Sequence, residues 1–195
     1  MRRKSVALTF DDGPSGWGST DRILALLDGF GIKATFFVVG GMIDSNPQLA
    51  QREANVGHLV ENHSMTHPEF STLGRDAMIA ELDGTTQRIV DLGVDSPQFF
   101  RPPYGDRDGS TLTDLLDERG LTPMLWTIDS RDWEIPDADT VHQNVLRDLR
   151  AAWSAGEMTN VVLFHDIQPH TPDVIEALVP DLVDEGCVFV RVDAV

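Results

Sequence analysis

Short apolar runs alternate with helical patterns along the whole chain, and this alternation constrains the fold more than any other feature. Seven runs of strand length are bounded by turn residues: Ser5–Phe10, Ala34–Val39, His58–Asn62, Gln98–Arg101, Pro123–Ile128, Val161–Phe164 and Cys187–Val192. Between them apolar residues recur at helical spacing, as in Ile23, Leu26, Leu27 and Phe30 before Gly31, or Met78, Leu82, Thr85 and Ile89 before Gly93. Three further stretches, Leu112–Arg119, Thr140–Ala155 and Pro172–Glu185, each stop at a glycine, the usual helix terminator. Such β-α alternation predicts a parallel sheet, because parallel neighbours need a crossover that a helix supplies. Seven strands without a dinucleotide glycine fingerprint favour an incomplete barrel over an open nucleotide-binding layer. At 195 residues, with no fixed-period repeat, low-complexity tract or dividing linker, the α/β chain is expected to form a single domain over residues 1–195.

Composition excludes several classes of partner. The formal net charge is -17, with 15 Lys plus Arg against 32 acids, so nucleic acid and anionic membrane surfaces are poor partners. Lys4 and Lys33 are the only lysines and aspartate outnumbers glutamate. We expect adaptation to high salt, where screening relieves the repulsion between dense carboxylates; an ordinary acidic protein is the alternative. Arg2, Arg3 and Lys4 precede an apolar run too short for a signal sequence, and no uncharged stretch is long enough to insert into a membrane. As given the chain reads as soluble and cytoplasmic, and a secreted protein whose leader was removed would look the same. The single cysteine, Cys187, lies in an apolar run, is expected to be a buried inert thiol and excludes a disulfide framework.

Ionisable residues collect where the predicted strands end. Asp11 and Asp12 follow the first, His63 the third, Arg101 closes the fourth, Asp129 and Asp132 follow the fifth, and His165 and Asp166 the sixth. The C-terminal rim of a parallel sheet or barrel is where such folds place their sites. Each motif alone has a plain explanation: Asp11-Asp12-Gly13-Pro14 is good turn chemistry, and His165 after four apolar residues suits a core histidine. His63 and His67 are four apart, which puts both imidazoles on one face if the stretch is helical; two surface histidines before Pro68 are the alternative. An arginine ending a buried strand, as Arg101 does, needs a carboxylate partner. Their joint placement at one rim argues for a site.

Five ordered motifs carry a family resemblance: Thr9-Phe10-Asp11-Asp12-Gly13-Pro14, His63-Ser64-Met65-Thr66-His67, Arg101-Pro102-Pro103-Tyr104-Gly105, Asp129-Ser130-Arg131-Asp132-Trp133 and Leu163-Phe164-His165-Asp166. Together they resemble the polysaccharide deacetylases, also called the NodB-homology domain or carbohydrate esterase family 4, over nearly the whole chain. The resemblance implies a distorted (β/α)7 TIM-like barrel and a hydrolase that removes N-acetyl groups from a glycan such as a chitin oligomer, peptidoglycan or exopolysaccharide. It assigns Asp12, His63 and His67 to a divalent ion, usually Zn2+, with Co2+ or other divalent ions open. Asp11 becomes the general base oriented by Arg101, the Tyr104 N–H an oxyanion donor, and His165, tuned by Asp132, the general acid. Trp133 and Leu163 match an apolar pocket for the acetyl methyl, with Pro102 beside them on the substrate side. Asp166 is a rim carboxylate that holds the loop. Glu61 and Gln168 depart from the family pattern, which bears on substrate preference. His58 and His142 match no motif and are expected to be exposed or structural, and His170 to line the groove. An O-acetyl esterase of the xylan type, a ring-opening amidase and a non-catalytic glycan binder are the rival readings.

Overall fold

The computed structural model describes residues 3–107 and 109–195, so of the basic N-terminal cluster Arg2 lies outside the described residues. In chain order the strands are β1 (Ser5–Asp11), β2 (Thr35–Val38), β3 (Leu59–Asn62), β4 (Phe99–Phe100), β5 (Thr122–Pro123), β6 (Ile128–Asp129), β7 (Thr159–His165) and β8 (Val188–Phe189). The helices are α1 (Ser19–Phe30), α2 (Gly40–Ser45), α3 (Pro47–Asn55), α4 (Arg75–Asp91), α5 (Ser110–Arg119), α6 (Ala138–Ala155) and α7 (Thr171–Asp184). The strands form one curled parallel sheet in the order β5-β4-β3-β2-β1-β7-β6, with β8 beside the start of β1. This is the distorted (β/α)7 barrel.

Strand periodicity decides which side chains reach the site. Along β1, Val6, Leu8 and Phe10 pack outward with Phe36, Val38, Val162 and Phe164 under the helices, while Ala7 faces the barrel interior with Phe37 and Val161. Because successive side chains alternate faces, Asp11, His63, Arg101 and His165 share the inward parity of their strands. Four chemically different residues therefore meet at one end of the interior.

The fifth apolar run, Pro123–Ile128, was expected to be one strand and is not. Its start pairs with β4 and its end with β7, so the segment from Thr122 to Asp129 carries both edges of the sheet and closes the barrel. Between them the Met124 and Leu125 carbonyls accept from Arg101 Nε and Nη2, both at 3.1 Å, and a guanidinium takes the place of a neighbouring strand. The seventh run, Cys187–Val192, is likewise strand only at Val188–Phe189, and Val192–Ala194 turns into a 3-10 helix. Cys187 is half-buried, not fully buried as expected, and burial pushes its thiol up to about 11, keeping it protonated and unreactive. Helices α2 and α3 lie in a stretch whose polar composition, Pro47-Gln48-Leu49-Ala50-Gln51-Arg52, hides the helical period. No helix among the described residues is long and apolar enough to cross a membrane.

Glu61 explains how the sheet tolerates the short β4. It points inward, and its Oε2 accepts the Gln98 and Phe99 N–H groups, both at 2.8 Å, next to the single β3–β4 register pair Asn62 and Phe100. Burial raises its carboxyl to about 7 against the opposing pull of those two N–H groups. A raised acid favours the folded state fully below the unfolded value of 4.5, and that contribution is lost as pH rises through 7. Glu61→Gln keeps an acceptor without the charge. Its thermal midpoint is expected to match the wild type at pH 5 and to exceed it at pH 8, by on the order of 2–3 kcal/mol in stability. Parallel midpoint-versus-pH curves for the two proteins would refute this account.

Candidate active site

The cleft at the C-terminal end of the barrel encloses about 360 Å³ and is lined by Asp11, Asp12, His63, His67, Pro102, Tyr104, Trp126, Asp129, Trp133, Leu163 and His165. Nine of the eleven residues proposed from sequence stand in this wall, and the other two, Arg101 and Asp132, are buried directly behind it. Trp126 was not anticipated.

Asp11 ends β1 and Asp12 follows in the left-handed conformation, φ 76°, which swings the second carboxylate into the same cleft as the first. Gly13 is required immediately after: a Cβ there would lie 2.1 Å from an Asp166 carboxylate oxygen. Asp166 is thus not at the rim. It is buried beneath the turn, bonded by Thr20 Oγ1 at 2.5 Å, while Thr20 Oγ1 also accepts from Ser15 N–H. Burial raises its carboxyl to about 7.

His63 and His67 are brought together by a loop, not by a helical face. Ser64 and His67 adopt positive φ, and Pro68 prevents a helix from continuing. The loop's N–H groups are satisfied by side chains: Asn62 Oδ1 accepts from Ser64, Ser64 Oγ from His67, and the Glu81 carboxylate from Met65 and Thr66. His63 Nδ1–H donates to the Arg101 carbonyl at 2.6 Å, which leaves its Nε2 lone pair facing Asp12. His63 Nε2 and His67 Nε2 stand 3.3 and 3.1 Å from Asp12 Oδ1, and that buried oxygen has no hydrogen-bond partner. One atom from each residue lies within 4.8 Å of the others. An unpartnered carboxylate oxygen between two imidazole nitrogens, one with its tautomer set from behind, fits a divalent cation. Burial pushes the Asp12 carboxyl up, but contact with His63 and His67 outweighs it and holds the group well below the usual carboxylate range.

Arg101 is fully buried against the Phe37 ring, 4.0 Å from guanidinium carbon to centroid. Its Nη1 donates to Asp11 Oδ1 at 2.6 Å and to Thr9 Oγ1 at 2.8 Å. Across the cleft, His165 Nδ1–H donates to Asp132 Oδ1 at 2.6 Å, and its backbone N–H donates to Asp132 Oδ2 at 2.8 Å. Burial opposes the charged imidazole, but the Asp132 hydrogen bond and charge prevail, raising His165 to about 9. Thr171 Oγ1 donates to the same Asp132 Oδ2 at 2.6 Å, a contact between residues 39 apart that no local pattern announces.

Tyr104 occupies a left-handed turn, φ 60°, with its ring exposed and edge-on to His67 at 4.7 Å. The exposed Trp133, the buried Leu163 and Trp126 form an apolar wall of the cleft. The remaining histidines stay outside it. His58 accepts from Ala34 N–H and lies edge-on to Phe36, and His142 pairs with Asp181, so both are structural. His170, expected to line the groove, is not among the residues of the cleft wall; it stands at the N-terminal cap of α7.

The polysaccharide deacetylase family profile matches residues 1–123. The peptidoglycan-N-acetylglucosamine deacetylase PgdA of Listeria monocytogenes is 34% identical over 190 residues, covering 97% of this chain and 38% of that protein. The chain therefore spans well under half of that relative. The chitooligosaccharide deacetylase of Rhizobium leguminosarum bv. trifolii is 36% identical over 172 residues, 88% of this chain and 75% of that protein. Among solved structures, a family 4 carbohydrate esterase from Streptomyces lividans in complex with acetate superposes with a TM-score of 0.84 at 36% identity, covering 95% of this chain and 91% of that one. With these similarities and the geometry of the cleft, the chain belongs to the polysaccharide deacetylase family.

Proposed function

We propose that residues 1–195 form one catalytic domain, a metal-dependent hydrolase that releases acetate from the N-acetyl groups of an N-acetylglucosamine-containing glycan. The observation that carries this reading is the cleft's two-sided arrangement. The Asp11–Arg101 pair faces it from one wall and the Asp132–His165 pair from another, with Asp12, His63 and His67 between. Those three residues would hold a divalent ion, for which their donor set favours zinc; when bound it polarises the acetyl carbonyl and acidifies water.

The chain's own residues supply the rest. Asp11, held by Arg101, accepts the proton of the attacking water as its oxygen bonds to the acetyl carbon. The Tyr104 N–H donates to the developing oxyanion. Trp133, Leu163, Trp126 and Pro102 receive the methyl group and keep water from the acyl side. His165 delivers a proton to the leaving nitrogen as the carbon–nitrogen bond breaks, giving acetate and a free amine. A histidine raised to about 9 still carries that proton at neutral pH, which an amine needs more than an alcohol does; this favours amide over ester cleavage. Trp17, 96% exposed at the apex of the turn that Thr20 ties to Asp166, offers a flat face to a longer glycan at the same rim. The lysine-poor acidic surface supports a salt-adapted protein.

The test is acetate release from N-acetylglucosamine oligomers by chelated protein, with and without added zinc or cobalt, at low and molar salt. Release that returns with metal is the expected result. Folded, metal-loaded protein that releases nothing would overturn the reading, and release from acetylated xylan alone would replace it with the esterase.

A further inference from the structure

We propose that Thr171 is a positioning residue for the general acid, acting through Asp132. This rests on the reading of His165 as the group that protonates the leaving amine. The Asp132 carboxylate is 1% exposed and each oxygen has an assigned task. Oδ1 faces His165 Nδ1 at 2.6 Å, while Oδ2 takes the His165 backbone N–H at 2.8 Å and the Thr171 hydroxyl at 2.6 Å. Rotation of an aspartate carboxyl about its last bond is soft, so no rotamer preference of Asp132 itself keeps Oδ1 in the imidazole plane. Hydrogen bonds must do so.

Thr171 is built for that task. It is fully buried, opens helix α7, and is followed by Pro172, Val174 and Ile175, all buried in the core. A β-branched side chain on a fixed backbone has few rotamers, so its hydroxyl is aimed by the helix rather than by chance. The 14-residue helix thus reaches the imidazole through one hydroxyl and one carboxylate.

Thr171→Val preserves shape and removes the donor. For N-acetylglucosamine oligomers kcat is expected to fall about 10–100-fold, the loss of one hydrogen bond to a charged group, with KM unchanged. Hydrolysis of p-nitrophenyl acetate is expected to stay near wild type, since p-nitrophenolate leaves without a proton. Thr171→Ser is expected to restore most of the lost rate. Equal loss on both substrates, or no rescue by serine in a protein of wild-type thermal midpoint, would overturn the proposal. The low-field proton signal of His165 Nδ1–H requires no substrate. It is expected to move or broaden in Thr171→Val, and an unmoved signal counts against the proposal. Absence of acetate release by the wild type would instead overturn the deacetylase reading, leaving the proton signal to decide the role of Thr171.

Discussion

His165→Ala is expected to lower kcat for N-acetyl release by about 10²–10⁴-fold, the usual contribution of a positioned general acid. The imidazole stands at the end of β7 with Nδ1 committed to Asp132 and its other edge toward the cleft. Asp132 does two things at once, fixing the ring orientation and stabilising its protonated form. The protonated form is the active one, so activity is expected to hold through neutrality and fall as pH rises through about 9. Activated esters are expected to lose far less than amides, because their leaving groups need no acid. A single kcat measurement on the alanine variant, at saturating oligomer and added metal, decides the matter: a rate equal to wild type removes His165 from the mechanism.

Arg101→Ala is expected to destabilise the fold by about 3–5 kcal/mol, the penalty for leaving a buried charge without its partner. Buried Asp11 would lose the guanidinium donor to its Oδ1, and the Met124 and Leu125 carbonyls would lose their donors together. For a chain of this size each kcal/mol moves the thermal midpoint by about 2–4 °C, so the fall should be easy to resolve. Lysine is not expected to rescue, because an ammonium cannot donate in a fork to Asp11, Thr9 and two carbonyls at once. Adding Asp11→Asn to Arg101→Ala is expected to recover part of the stability and none of the activity, since it removes the orphaned charge together with the base. Urea unfolding of the three proteins reads both claims. A single variant as stable as the wild type would show that the buried pair is not what closes the barrel at Met124 and Leu125.

Much of this protein could be read along the chain. Strand and helix periods, and the glycines that end α1 and α6, are local properties, and they placed the α-helices other than α2 and α3. The chemistry of the rim was legible for the same reason: Asp11, His63, Arg101 and His165 each sit at the inward parity of a strand end, and parity is countable in a sequence. What escaped was set by partners distant in sequence. Met124 and Leu125 have the composition of a strand, yet Arg101, the residue after β4, takes their carbonyls and splits the run in two. His63 and His67 have the spacing of a helix face, yet Glu81 from α4 supports a loop instead. Asp166 follows the His165 of a rim motif, yet Gly13 and Thr20 cover it.

The sequence by itself determined the alternation of elements and which functional groups the rim would carry, because both follow from short-range periodicity. Only the tertiary structure decided how those groups are aimed. The tautomer of His63 depends on the Arg101 carbonyl, and the orientation of Asp132 on a hydroxyl from another helix. Such bonds join residues with no fixed spacing, and their directions exist only once the chain is folded.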